Sequence, residues 1–259
     1  MLSVERHEKI LEWLEKNKAV KVSDLSRELQ VSEKTIRIDL VHLEKKGLLK
    51  RIHGGAVPLD DEGRIFPINE RQSKHNLAKQ AIAGEAIKRI QPNETILMDG
   101  GSTTLAVAKQ LGAFPVTIIT NDVRIAAELI SKEKVQLMVL GGTRIGTSSS
   151  LFSPESSELL KRIRVNRLFF GATGISIEHG LTVLNSLHVE WKKQVLRCAE
   201  RVTLLVDSTK FEKVGLIQFA TIEEVDEIIT DMNLDSAIKK RLETLGRTIF
   251  YAPIEQKND

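Results

Sequence analysis

The chain has 259 residues, 41% of them hydrophobic, with a formal net charge of +3, which suits one small and one medium domain rather than a disordered or fibrous chain. Its one cysteine, Cys198, excludes an intramolecular disulfide, and no His or Cys spacing matches a metal cluster. The N-terminus opens on charged residues, and no run approaches the roughly 18 apolar residues of a spanning helix, so a cytoplasmic protein with no membrane role, metal or cofactor is expected.

In chain order, Ser3 can cap a helix running to about Asn17, with Ile10, Leu11 and Leu14 as its apolar stripe and Trp13 beside them. Val20 and Val22 suggest a short extended segment, Ser23 a cap for a second helix carrying Leu25 and Leu29, and Gln30 and Val31 a turn. Ser32 is then a good N-cap for a third helix, with Glu33 at its positive end and Ile36, Leu40 and Leu43 on one face. Gly47 supplies a left-handed residue just past its end. Lys34, Arg37, Ile38, Val41 and Lys45 fall mostly on the opposite side, where a helix in the major groove would present them to phosphates and base edges.

Residues 48–52 and 56–57 can pair as a hairpin around Gly54 and Gly55, whose freedom at positive φ suits a tight turn, with Lys50, Arg51 and His53 riding on this wing. A plain three-helix bundle with a solvated charged face shares the helical pattern but not the attached hairpin. The charge agrees with a nucleic-acid reader. Residues 1–57 hold 12 Lys and Arg against 9 Asp and Glu, leaving 26 of each sign beyond them, and three of the six histidines lie there too.

Val31-Ser32, Thr35-Ile36-Arg37, Asp39-Leu40, Leu43, Gly47, Leu49 and the run Arg51-Ile52-His53-Gly54-Gly55-Ala56 together resemble the winged helix-turn-helix of DeoR-type bacterial transcription regulators. In that family the second helix of the motif enters the major groove. The resemblance therefore implies base or backbone contacts for Lys34, Thr35, Arg37 and Ile38. With Ser32, Lys45, Arg51 and His53 these form the candidate DNA-binding set of a domain spanning 1–57.

Residues 58–69 carry two prolines, a glycine and acidic residues, which marks a linker; with the start of a connecting helix it is taken as 58–76, and a second domain as 77–252. A helical pattern covers about 70–90 before Pro92. Short apolar runs then alternate with helical stretches: 95–98, 116–119, 136–140, 167–170, 202–206 and 227–229, with helices near 104–111 and 123–131. This is an α/β pattern, and runs without alternation suit strands buried on both faces of a mostly parallel sheet.

Each run ends in small or polar residues: Asp99-Gly100-Gly101-Ser102-Thr103-Thr104, Thr120-Asn121, Gly141-Gly142, Gly171-Ala172-Thr173-Gly174, Asp207-Ser208-Thr209-Lys210 and Thr230-Asp231. Ligands of open α/β sheets bind outside the carboxyl ends of the strands, so these clusters nominate one crevice. The first suits phosphate, because glycines admit backbone amides to an anion and Ser102, Thr103 and Thr104 offer hydroxyls at a helix N-terminus. Lys210 could add a point charge and Asp99 could accept bonds from sugar hydroxyls, while Arg144, Ile175 and Leu184 could shape the pocket. Helix capping is the better explanation of any one cluster taken alone, and Asn121 reads equally as the N-cap of the helix after it and as a crevice residue. Gly141-Gly142-Thr143-Arg144-Ile145-Gly146 lacks the Lys-Ser/Thr ending of a nucleotide-phosphate loop.

The same clusters resemble the C-terminal sensor domain of DeoR-type regulators, itself similar to the sugar-phosphate isomerase fold of ribose-5-phosphate isomerase and glucosamine-6-phosphate deaminase. The resemblance implies that Ser102, Thr103 and Thr104 are phosphate ligands. It also implies functional positions at Thr120, Asn121, Gly141, Gly174, Glu190 and Lys210, which join Asp99 and Gly101 as the candidate effector site. Reader and sensor together imply a non-enzymatic regulator: a repressor of a carbohydrate operon that binds double-stranded operator DNA, responds to a phosphorylated sugar, and assembles as a homodimer or tetramer. The alternative is a sugar-phosphate isomerase or deaminase with a DNA-binding appendage, using Asp99, Asp207 or Glu190 as base.

Overall fold

The computed structural model of the protein describes residues 2–17, 19–46, 48–57, 76–144 and 148–254. The linker at 58–69, the first turns of the connecting helix, the helix-ending glycine Gly47, and Ile145 and Gly146 lie outside the described residues.

The N-terminal reader is built from α1 (Ser3–Asn17), β1 (Val20–Lys21), α2 (Val22–Leu29), α3 (Glu33–Lys45), β2 (Lys50–Ile52) and β3 (Gly55–Val57). Ile10, Leu14, Leu25, Leu29, Ile36, Leu40, Leu43 and Leu49 form its core. The i, i+4, i+7 apolar spacing on α3 thus selects the inward face, and burial of such side chains contributes about 1.5–3 kcal/mol each. Ser32 caps α3, its hydroxyl oxygen accepting from the Thr35 amide at 3.1 Å. Ser23 does not cap α2. It lies inside that helix, whose N-cap is Lys21 with no side-chain bond, because β1 pairs with β3 and sets the point where the helix can begin. Ser3 is likewise the first helical residue.

The wing is a three-stranded sheet ordered β1-β3-β2, with Lys50 opposite Val57 and Ile52 opposite Gly55. Gly54 takes φ +77, as its turn demands. Gly55 does not. It is needed for space, since a Cβ there would lie 2.0 Å from the Val20 carbonyl oxygen.

Behind α3 sits a buried ionic knot. Asp39 accepts from Arg6 Nε at 2.5 Å and Nη2 at 2.9 Å, and lies 3.0 Å from His7 Nε2. Burial pushes His7 below its ordinary pKa, against the opposing pull of Asp39. A histidine depressed in the fold binds fewer protons there than in the unfolded chain, so its contribution is intact above about pH 6.5 and is lost as pH falls toward the folded value. The thermal transition of the reader should therefore drop as pH falls below about 6.5, and a His7→Gln variant should flatten that slope. An unchanged slope in the variant would remove His7 from the account.

The second domain comprises α4 (Asn76–Ile87), β4 (Thr95–Met98), α5 (Ser102–Gln110), β5 (Val116–Thr120), α6 (Val123–Leu129), β6 (Val135–Val139), β7 (Thr143–Arg144), β8 (Leu151–Phe152), α7 (Pro154–Leu160) and β9 (Val165–Phe170). It continues through β10 (Gly174–Ser176), β11 (Gly180–Val183), α8 (Leu187–Cys198), β12 (Ala199–Leu205), β13 (Ile217–Ala220), β14 (Glu227–Asp231), α9 (Ser236–Glu243) and β15 (Thr248–Ala252). Seven strands form one parallel sheet, ordered β15-β14-β12-β9-β4-β5-β6. Successive residues feed opposite layers: Ile96 and Met98 enter one core and Leu97 the other, all three with 0% exposure.

Two expectations change. The run at 136–140 is a strand, shifted by one residue, but it is the sheet edge rather than a strand buried on both faces, and Met138 and Val139 are exposed. An antiparallel sheet ordered β10-β11-β13 and the opposite edge strand β15 have no counterpart among the apolar runs, because they are short or only half-buried.

The chain winds from β4 outward to β6, returns to β9 on the other side of β4, and winds outward again to β15. The β4/β9 junction is therefore the topological switch point, whose carboxyl end leaves room for a ligand. No helix among the described residues is long and apolar enough to cross a membrane.

The reader also touches the sensor domain. Lys46 Nζ donates to the Leu216 carbonyl oxygen at 3.1 Å, and the Ser186 amide donates to Glu8 Oε1 at 2.5 Å. Leu216 joins the reader core, with Leu184 and Ile217 packed against it. Leu184, read from the sequence as a pocket residue, thus belongs to the seam between the domains.

Candidate nucleic-acid interface and sensor crevice

Packing of Ile36, Leu40 and Leu43 turns the other side of α3 to solvent. Ser32, Lys34, Arg37, Ile38 and Lys45 are exposed, Ile38 at 54%, and Thr35 is half-buried. In a major groove Ile38 would offer a contact to apolar groups such as thymine methyls. Arg37 lies 2.5 Å from Glu33 one turn earlier, a surface pair of little energetic weight. Arg51 and His53 are exposed on the wing. The Arg51 amide and guanidinium both donate to Glu44, at 2.8 and 2.7 Å, holding that carboxyl below its usual range and lashing the wing to α3. With the second domain in place these residues remain exposed, so this face is open.

At the switch point the Asp99 amide donates to the Phe169 carbonyl oxygen at 3.0 Å, joining the ends of β4 and β9. Its carboxylate is buried, accepting from Trp191 Nε1 at 2.8 Å and Lys192 Nζ at 2.5 Å. Lys192 also donates to the Gly171 carbonyl oxygen at 2.7 Å. Each carboxylate oxygen of Asp99, which the sequence suggested as an acceptor for sugar hydroxyls, thus already accepts one bond from α8.

Beyond it, Gly101 is the N-cap of α5. Gly100 admits a close approach, since a Cβ there would lie 2.1 Å from Ser150 Oγ and 2.8 Å from Asp122 Oδ2. Ser102 is half-buried at the helix start, whereas Thr103 and Thr104 are buried and the Thr104 hydroxyl donates to the Gly101 carbonyl oxygen at 3.0 Å. The α5 N-terminus carries partial positive charge, and the buried Lys192 offsets Asp99 beside it, so this corner tolerates an anion.

After β5, Thr120 donates to the Met98 carbonyl oxygen at 2.7 Å and accepts from the Asp122 amide at 3.1 Å. Asp122, not Asn121, caps α6, accepting from the amides of Arg124 and Ile125 at 2.9 and 3.2 Å and from Ser149 Oγ at 2.5 Å. Asn121 is instead fully buried, its Nδ2 donating to the Leu151 carbonyl oxygen at 3.0 Å, while Oδ1 has no hydrogen-bond partner. The Gly141 carbonyl oxygen accepts from Ser156 Oγ at 2.7 Å. Gly174 lies on β10, where a Cβ would sit 2.2 Å from the Lys213 carbonyl oxygen. Lys210 closes a short turn capped by Asp207.

Glu190 does not join the group: its side chain is 77% exposed, 3.9 Å from Lys193. One and two positions on, Trp191 and Lys192 point inward instead. These two, with Asp122, Ser149 and Ser150, were not among the site residues read from the sequence. A signal for Lys192 was present, since it falls between Val189 and Val195 on the buried stripe of α8, and a cation there needs a buried anion. Among the described residues no group of three His, Cys, Asp or Glu could hold a metal ion.

Comparison with known proteins agrees with this geometry. Residues 6–62 match the DeoR-like helix-turn-helix domain, and residues 74–232 match the DeoR C terminal sensor domain. The chain is 34% identical over 253 residues to the HTH-type transcriptional regulator GolR of Listeria innocua, covering 97% of this chain and 100% of that one. It is 33% identical over 240 residues to the L-fucose operon activator of Haemophilus influenzae, covering 92% and 96%. A solved ribose 5-phosphate isomerase A from Methanocaldococcus jannaschii aligns at TM-score 0.39 and 21% identity, over 54% of this chain and 56% of that one. The two relatives are regulators by name, and the isomerase reading of this chain is set aside with them. A winged reader with its basic face open, joined to a sensor domain of the matching kind, makes this chain a member of the DeoR family of DNA-binding transcriptional regulators and not an enzyme.

Proposed function

We propose that the chain represses a carbohydrate catabolic operon, binding double-stranded operator DNA as a homodimer or tetramer and releasing it when a phosphorylated sugar occupies the crevice at the α5 N-terminus. The observation that carries the DNA half is the exposed face of Lys34, Arg37, Ile38 and Lys45 on a helix whose other side is fully packed. The effector half rests on the anion-tolerant corner of Gly101, Ser102 and Lys192 at the switch point. That one similar protein is named for an L-fucose operon supports the carbohydrate assignment. Two readers per assembly match repeated half-sites at a fixed spacing.

A duplex selected from a random pool by the full-length chain supplies the assay. Binding to it should weaken steeply with salt, and Arg37→Ala should weaken it about tenfold or more. Equal retention of selected and random duplexes at every salt concentration would end the operator reading. A thermal-shift screen of phosphorylated sugars, with their unphosphorylated parents as controls, tests the effector: a ligand in excess raises the melting temperature by mass action. Parents that stabilise as well as their phosphates would exclude a phosphate site. Because one relative is named an activator, reporter expression in a deletion strain reads the sign, with derepression expected.

A further inference from the structure

Two hydrogen bonds between reader and sensor, among the described residues, are continuous with elements of the crevice. The Ser186 amide, which holds Glu8 of α1, immediately precedes α8, and in the second turn of α8 Trp191 and Lys192 hold Asp99. On the other thread, Gly215 donates from its amide to Thr182 Oγ1 at 2.6 Å, and that hydroxyl donates to the Gly174 carbonyl oxygen at 3.2 Å. The next residue, Leu216, is buried in the reader core and takes the bond from Lys46 at the end of α3. We propose that this seam, centred on Glu8, Lys46, Ser186 and Leu216, is the coupling device of the regulator, with α8 as the rigid element that transmits the state of Asp99 to the reader.

The proposal rests on the reading of the crevice as the effector site and names how that site reaches DNA. Its physical basis is geometry. An α-helix of this length is a short rod, so a displacement of its second turn is carried to its N-cap, Ser186. The same rod holds α1 through a carboxylate–amide bond, a charge-assisted contact. An anion arriving beside Asp99 competes for Lys192, which is the event that would shift the rod. None of Glu8, Lys46, Ser186 and Leu216 is among the candidate DNA-contact residues, so seam variants leave those side chains in place.

The test is a double-mutant cycle on the full-length chain, read as affinity for the selected duplex and needing no effector. Trp191→Phe keeps the ring and removes one bond to Asp99; Lys192→Arg keeps the charge and alters its geometry. Each is measured in the native background and in Glu8→Ala/Leu216→Ala. In the native background at least one should shift the duplex affinity by about fivefold or more, the lower end of measured allosteric couplings, and in the undocked background the shift should vanish. The same fold-change in both backgrounds, or no change in either, overturns the seam. Both results leave operator binding standing, whereas a native chain that enriches no duplex overturns the function itself. Melting curves on each variant confirm that the folded chain is being compared.

Discussion

Lys192→Met should lower the stability of the sensor domain by about 3–5 kcal/mol, the usual cost of stranding one partner of a buried ion pair. Lys192 and Asp99 have side chains only 7% and 3% exposed, and the bond between them is 2.5 Å long. Solvent therefore cannot replace the lost cation. With Met at 192 the carboxylate keeps the Trp191 bond but must either stay charged while buried or take up a proton. For a domain of this size, each kcal/mol corresponds to about 2–4 °C, so a fall of about 6–20 °C in melting temperature is expected. A companion variant separates pairing from packing. Lys192→Met with Asp99→Leu removes both charges and should recover much of the loss, since an apolar pair of similar volume is often neutral. A single variant that melts with the native chain would show that Asp99 is better hydrated than its burial indicates.

The second large effect belongs to the reader. Asp39→Ala removes the buried carboxylate that Arg6 and His7 share behind α3, and a loss of up to about 3–5 kcal/mol, the range for breaking a buried ion pair, is expected. A domain of under 60 residues has little stability to spare, so this loss should unfold the reader while the sensor stays intact. Duplex binding should be abolished, and amides of α1 and α3 should lose hydrogen-exchange protection, with exchange in the parallel sheet unchanged. Asp39→Asn, which keeps one acceptor, should fall between. Retained binding by Asp39→Ala would mean that the knot is ornamental and that the apolar core alone sets the recognition helix.

Asp39 illustrates how sequence and fold divide the work. Its position in the Thr35-Ile36-Arg37, Asp39-Leu40 pattern is visible in the chain, but its partners lie more than thirty residues away on α1. Nothing in local spacing names them. The Ser32 cap and the inward stripe of α3 could be read directly, because capping and amphipathicity act within a few residues. The Ser23 cap failed for the opposite reason: the start of α2 is set by β1 pairing with β3, a contact made across the domain.

The amino-acid sequence on its own determined the winged reader, the alternation of strand and helix, and the gathering of small and polar residues after the strands, since all three are written in short-range periodicity and turn chemistry. Tertiary structure decided the rest. It chose which strands sit beside the switch point, turned Trp191 and Lys192 inward and Glu190 outward, gave Asp99 a buried cation, and set the seam that joins the two domains. Those outcomes depend on strand order and helix rotation, which are fixed by the burial of residues distant in the chain and not by any one segment's own preferences.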